Sequence, residues 1–344
     1  MRIQENIALA PLATLGIGGP ARWFVEATCE AEIAEACLWV REQDVPLFVV
    51  GGGSNVLVAD AGFEGLALHV ATRSMELDGE VLRAAAGTPW EHCVQQTTEA
   101  GLAGIECLAG IPGTVGGTPV QNVGAYGQEV ASVIERVRAF DRAAQEFVEF
   151  ANAECGFAYR RSRFNTTDRG RYVVTRVDYR LRRKGAPTWN YAELKAHFSG
   201  REKTPTLAEV AEAVRGIRKS KGMLLVEGDP DCRSAGSFFK NPSVAPEVVE
   251  RVKQVAADSG LSVRTFPAEG GMVKIPAAWL IEQAGFRKGY KLGAAGISPR
   301  HTLALVNRGG ATAKEILALA GKIQAAVEAR FGIRLEMEPE MVGF

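Results

Sequence analysis

The chain has 344 residues, 47% hydrophobic and 23% charged, the composition of a globular protein with room for two or three cores. Lys plus Arg and Asp plus Glu balance at 40 each, so no global field favours nucleic acid or an anionic membrane. Six cysteines (Cys29, Cys37, Cys93, Cys107, Cys155 and Cys232) form no CxxC pair and no Cys/His ligand spacing, which argues against a metal site and for a reducing interior.

Arg2 followed by IALAPLATL has some features of a secretory leader, but Glu5 and Pro11 interrupt it and no clean cleavage site follows. No apolar run approaches the ~20 residues of a membrane span, so a cytoplasmic protein is expected. Next, Gly16-Ile17-Gly18-Gly19-Pro20-Ala21 fits a loose dinucleotide fingerprint. Pro11 breaks the strand that should precede it, and no strand ending in a ribose-binding acid follows, so it reads as a decoy. LFVV (47–50) and FEGLALHV (63–70) are predicted strands, and between them VVGGGSNVLV places three glycines, a serine and an asparagine. Successive N–H groups of such a loop can converge on phosphate. LDGEVLRAAAG predicts a hairpin turning at Asp78-Gly79.

Thr88-Pro89-Trp90-Glu91 reads as a capping box opening a helix that Gly101 closes. GIPGTVGGTPVQNVGAYG (110–127) then carries six glycines in 18 residues, a density suited to backbone lying against a large flat ligand. RYVVTRVDYRL (171–181) is another strand. After RRKGAP (182–187) amphipathic helices dominate, so a domain boundary is drawn near residue 185. Thr206-Leu207-Ala208-Glu209 and Thr312-Ala313-Lys314-Glu315 are two further capping boxes, the second helix ending at Gly332. SAGSFFKNP (234–242) reads locally as a strand whose phenylalanines feed the core, closed by an Asn-Pro turn. The fold class is α+β (mixed α/β).

Six motifs taken in order carry a family resemblance: NIALAPLATLGIGGPARWFVEA, GGGSNVLV, GIPGTVGGTPVQNVGAYG, YRRSRF, SAGSFFKNP and LEMEPE. Together the chain resembles the UDP-N-acetylenolpyruvoylglucosamine reductases, in the longer form with a substrate-covering tyrosine. That resemblance implies a two-lobed FAD-binding domain of the PCMH/VAO type (1–185) and a C-terminal α/β substrate-binding domain (186–334). The strand near 335–344 would return to the active site. It implies non-covalent FAD, NADPH as hydride donor, and UDP-N-acetylglucosamine-enolpyruvate as substrate. No nucleic-acid or membrane partner, a monomer and a cytoplasmic location complete the expectation.

Residue by residue, the resemblance puts Gly51, Gly52, Gly53, Ser54 and Asn55 around the FAD diphosphate. Gly110, Ile111, Gly113, Gly117, Gln121, Asn122, Gly124 and Ala125 would line the flavin and ribityl chain. Tyr126 would face the substrate, and Tyr191 in WNYAEL would cover it. Arg218 and Lys221 match diphosphate contacts; by residue type alone they are a solvated basic helix face. Asn241 matches a substrate hydrogen bond, and His301 a supporting role. Arg160 matches the partner of the substrate carboxylate, with Arg161 and Arg163 as surface or cofactor contacts. Glu340 matches the acid-side residue, protonated or bridged by Arg160, and Ser237 the proton donor, with Lys240 available to steady a transient alkoxide. An arginine often found two residues after the second glutamate of EPE is replaced by Val342. Two other readings stay open: another flavin oxidoreductase of the same fold, or a non-catalytic flavin- or nucleotide-binding module.

Overall fold

The computed structural model describes residues 1–344. They form two compact units: Met1–Leu12, Pro20–Gly53 and Gly62–Ser220 in the first, Ala13–Gly19, Ser54–Ala61 and Lys221–Phe344 in the second. The composition change at 182–187 precedes this division, because the helical stretch after it packs with the first unit.

The first unit holds two large sheets, the two lobes expected of it, and two short two-stranded ones. In one, β1 (Gln4–Ala8) pairs antiparallel with β2 (Pro20–Ala27). β5 (Phe63–Val70) runs parallel to both β2 and β3 (Leu47–Val50), giving the order β1-β2-β5-β3. Helix α1 (Glu30–Gln43) supplies Ile33, Ala36, Cys37 and Val40 to the core it shares with that sheet. The other sheet is antiparallel throughout: Glu146–Ala151, Ile134–Asp141, Tyr172–Arg180, β7 (Val81–Ala85) and β6 (Met75–Asp78). Its first hairpin turns where the Asp78-Gly79 signal predicts, with Gly79 at φ +62.

Helix α2 (Trp90–Glu99) buries Trp90, Cys93 and Val94, with Trp90 tilted against the fully buried Tyr179 at 5.6 Å. The capping box expected at its start does not form. Thr88 Oγ1 donates to Ser74 O, and Glu91 instead accepts from Gly110 N and Arg215 Nε. Arg215 lies on α4 (Leu207–Ser220), which follows the short helix α3 (Ala192–His197). The box opening α4 does form: Glu209 accepts from Thr206 N and Oγ1, and Thr206 Oγ1 accepts from Glu209 N. The bond from Thr206 N, then those from Arg201 Nη2 and Thr206 Oγ1, hold the Glu209 pKa down to about 2.

The Gly16–Ala21 fingerprint, whose glycines fall in the second unit and whose Pro20 and Ala21 open the first unit's β2, is a decoy, as expected. A 3-10 turn precedes it and strand β2 follows it, so no helix N-terminus faces the glycines. Helices α5 (Pro246–Asp258), α6 (Ala277–Gln283) and α7 (Ala313–Phe331) share a second core with Phe238, Phe239 and Leu305. Thr312 and Glu315 cap α7 reciprocally, and Gly332 ends it at φ +66. The C-terminal strand Glu340–Val342 lies parallel to β4 (Val56–Val58), and Val342 is buried in it. No helix is long and apolar enough to cross a membrane.

Candidate active site

In the first unit, the two glycine loops are pressed together. A Cβ on Gly52 would sit 2.6 Å from Gly113 Cα, and one on Gly51 would sit 2.5 Å from Thr114 Oγ1. The second loop is laced to the start of α2: Val115 N donates to Thr88 O, Gly116 N to Ala86 O, and Trp90 N to Gly113 O. Gly110, at φ +69, is gripped through both main-chain groups, its N–H by Glu91 and its carbonyl by Arg218 Nε at 2.9 Å. Gly117 differs, since a Cβ there would meet no protein atom within 4 Å. That face is bare, open backbone, a surface on which a flat ring system can lie. The loop therefore fits FAD. Ser54 and Asn55 fall in the second unit, where Asn55 Nδ2 donates to Glu338 O and Asn55 O accepts from Glu340 N.

Tyr126 and Gly127 form the two-residue turn between the short strands Gly124–Ala125 and Gln128–Glu129. Both have positive φ, +49 and +85, the pattern of a type I′ turn. A tyrosine at such a position costs on the order of 1–3 kcal/mol, a strain concentrated at functional sites. The buried Tyr126 ring meets the exposed Tyr191 ring edge-on at 5.4 Å. Arg218, expected by residue type on a solvated face, is buried; burial pulls its pKa down, against the attraction of Tyr126. Three of the expected substrate residues thus meet in one unit.

Arg160 sits at the tip of a tight turn in which Ala158 and Arg161 exchange main-chain bonds of 3.0 Å. Its φ is +57. Three side chains fasten that turn to the glycine loop. Ser162 Oγ donates to Val120 O, Asn122 Nδ2 to Ala158 O, and Arg160 Nη2 to Gly124 O at 2.8 Å. Asn122 also donates to Glu129 and accepts from Ala131 N, so its whole amide is used in placing this turn. Arg163 pairs with Asp168 at 2.7 Å and stacks over Phe150, while Arg161 is exposed. Ile111 and Gln121 are half-buried on the same loop.

In the second unit, SAGSFFKNP is not the expected strand. Phe238 and Phe239 are adjacent and both buried, which a strand with one core face cannot achieve. The segment is pinned from two sides instead. Phe238 N donates to Leu303 O, while Lys240 N donates to Glu336 O and Phe238 O accepts from Glu338 N. A bridge joins Phe239 to Met337, so Ser237 and the residues just before Glu340 run side by side. Ser237 is half-buried and its Oγ has no hydrogen-bond partner in the protein. Glu340 is exposed. Lys240 does not serve Ser237 as expected; its Nζ pairs with Glu336 Oε1 at 2.5 Å. Asn241 Oδ1 accepts from Ala277 N, at the start of α6. Lys221 opens the unit, directly after α4.

Residues 229–342 match the family described as UDP-N-acetylenolpyruvoylglucosamine reductase, C-terminal domain, and residues 21–150 match one described as FAD binding domain. The Streptomyces coelicolor UDP-N-acetylenolpyruvoylglucosamine reductase is 48% identical over 99% of this chain and 91% of its own. The Thermobifida fusca relative of the same name is 45% identical over 98% of both. The chain belongs to the UDP-N-acetylenolpyruvoylglucosamine reductase family. The crystal structure of UDP-N-acetylenolpyruvylglucosamine reductase from Thermus caldophilus superposes with a TM-score of 0.69 at 28% identity, covering 99% of each chain. The α+β fold expected of this reductase family is therefore borne out.

Sequence reading missed Glu91, Arg215 and Glu106 as parts of this architecture. Glu91 was hidden inside a plausible cap. Glu106 did leave a signal: a lone charge within the apolar run GLAGIECLAGIPG.

Burial raises the Tyr126 phenol to about 12. The unfolded phenol ionises near ~10, so stability should fall as pH rises through that window while the folded phenol stays protonated. The absorbance difference between wild type and Tyr126→Phe should therefore show phenolate near pH 12; its appearance at the ordinary tyrosine pKa would mean that the ring is solvated.

Proposed function

We infer that this chain is an FAD-dependent oxidoreductase that reduces UDP-N-acetylglucosamine-enolpyruvate to UDP-N-acetylmuramate. The observation that carries the reading is identity of 45–48% to reductases of that name over nearly the whole chain. The open backbone at Gly117 and the paired glycine loops support non-covalent FAD. When bound, FAD would relay a hydride from NADPH to the terminal vinyl carbon.

The chain's own residues must then manage charge and a proton. Charge left on the neighbouring carbon spreads into the carboxylate, and Arg160 offers it a planar, permanently charged fork. Ser237 Oγ–H gives its proton to that carbon, completing two C–H bonds in place of the vinyl π bond. Glu340 acts beside it on the acid side. Tyr126, Tyr191, Arg218, Lys221 and Asn241 hold the UDP-sugar. Residues 1–185 carry the flavin contacts together with Tyr126 and Arg160 for the substrate, and 186–334, with Glu340 after it, carry the remaining substrate contacts. A cytoplasmic monomer in peptidoglycan synthesis, and through it in cell shape and division, belongs to the same reading.

The test begins with colour. Purified protein should be yellow, NADPH should bleach it anaerobically, and UDP-N-acetylglucosamine-enolpyruvate should restore the colour. Denaturation and filtration should release intact FAD. Flavin retained on the precipitate, or FMN in the filtrate, would contradict the cofactor assignment. Bleaching that the enolpyruvyl substrate cannot reverse would favour a different flavin oxidoreductase, and no bleaching would favour a binding module.

A further inference from the structure

We propose that Glu106 is a positioning residue that sets the Tyr191 segment against the Tyr126 turn. Glu106 is fully buried, and its carboxylate accepts three N–H donors: Gly104 N at 2.7 Å, Gln128 Nε2 at 2.8 Å and Thr188 N at 2.8 Å. No cation is among these partners, so the carboxylate is not buried to make an ion pair. A carboxylate in a core is costly unless its bonds accomplish something that apolar packing cannot. What it joins is specific. Thr188 lies three residues before Tyr191, in a stretch (186–190) without regular secondary structure. Gln128 lies two residues after Tyr126 and closes its turn.

The neighbouring residue completes the clamp. Cys107 N donates to Gln128 Oε1 at 2.7 Å, which fixes the orientation of that amide. Cys107 Sγ donates to Thr188 O at 2.9 Å. Both main-chain groups of Thr188 and both ends of the Gln128 amide are thus held by residues 106 and 107. The strained Tyr126 turn needs such over-determination, and the irregular segment before Tyr191 has no ladder or helix of its own to fix it. Apolar contacts alone would permit sliding; directional bonds fix register.

This inference rests on Tyr126 and Tyr191 facing the UDP-sugar. In Glu106→Met, hydrogen exchange of peptide 186–191 should quicken. The KM for UDP-N-acetylglucosamine-enolpyruvate should rise about tenfold, the scale of one lost charge-assisted hydrogen bond. FAD content and flavin reduction by NADPH should stay near wild type, a split that general destabilisation would not produce. Glu106→Gln, which keeps one oxygen for Thr188 and Gln128, should restore most of the KM. Should Glu106→Met not fold, Thr188→Pro deletes the same N–H from the segment's side and should give the same split. Unchanged exchange at 186–191 overturns the proposal. So does a normal KM in Glu106→Met when Tyr191→Ala raises it. If Tyr191→Ala itself leaves KM unchanged, the substrate-facing reading has failed and takes the proposal with it.

Discussion

Ser237→Ala should leave flavin reduction by NADPH nearly normal while slowing reoxidation by the enolpyruvyl substrate by ~10²–10⁴-fold, the range of a lost general acid. The two half-reactions separate because only the second needs a proton on carbon. The structure sharpens this expectation, since Ser237 Oγ has no protein partner and removing it leaves no buried group unsatisfied. Neighbouring main chain, through Phe238 to Leu303 and Glu338 and Lys240 to Glu336, holds the segment without the hydroxyl. Ser237→Cys, with an ionisable hydrogen at a similar place, should recover part of the rate. Stopped-flow traces of both half-reactions decide the matter. Wild-type reoxidation in Ser237→Ala would leave the serine as a packing residue and the proton would have another source.

The second large effect separates two glycines that a sequence cannot rank. Gly52→Ala should cost stability even without flavin, by the ~1–3 kcal/mol of an overpacked contact. Its Cβ would lie 2.6 Å from Gly113 Cα and 3.0 Å from Gly113 C, and backbone cannot rotate away. Gly117→Ala should do the opposite. Its methyl meets no protein atom, so the flavin-free protein should melt as wild type does. Bound FAD should nevertheless weaken by more than tenfold if the ring system lies on this face as proposed, because the methyl would occupy it. With it would go the melting-point increase that flavin gives, which follows mass action. Melting curves with and without added FAD distinguish the two variants. Gly117→Ala protein that purifies fully yellow would place the flavin elsewhere.

Local grammar was legible wherever the competing partners are themselves local. Thr206 with Glu209 and Thr312 with Glu315 close their boxes within one turn, and both form as read. The strand at 171–181 and the Asp78-Gly79 hairpin follow from β-branched runs and a residue that tolerates positive φ. The Thr88 box was equally good as a pattern and did not form. Glu91 has two donors outside its own helix, Gly110 N and an arginine 124 positions along the chain. A four-residue motif contains no information about such rivals.

What the sequence alone determined was the class of fold, the family, and the place of the two glycine-rich loops. Each rests on residue type and order, which survive any arrangement of the chain. Only the tertiary structure decided how those residues are employed. Arg218 is buried on Gly110 rather than solvated, Lys240 answers Glu336 rather than Ser237, and Asn122 places the Arg160 turn. Adjacent Phe238 and Phe239 are both buried because two separate stretches, near Leu303 and Glu338, approach the same short segment. The physical reason is common to all of them. A polar or apolar side chain goes to the partner offering the larger net gain after desolvation, and that partner is brought close only when distant parts of the chain have packed.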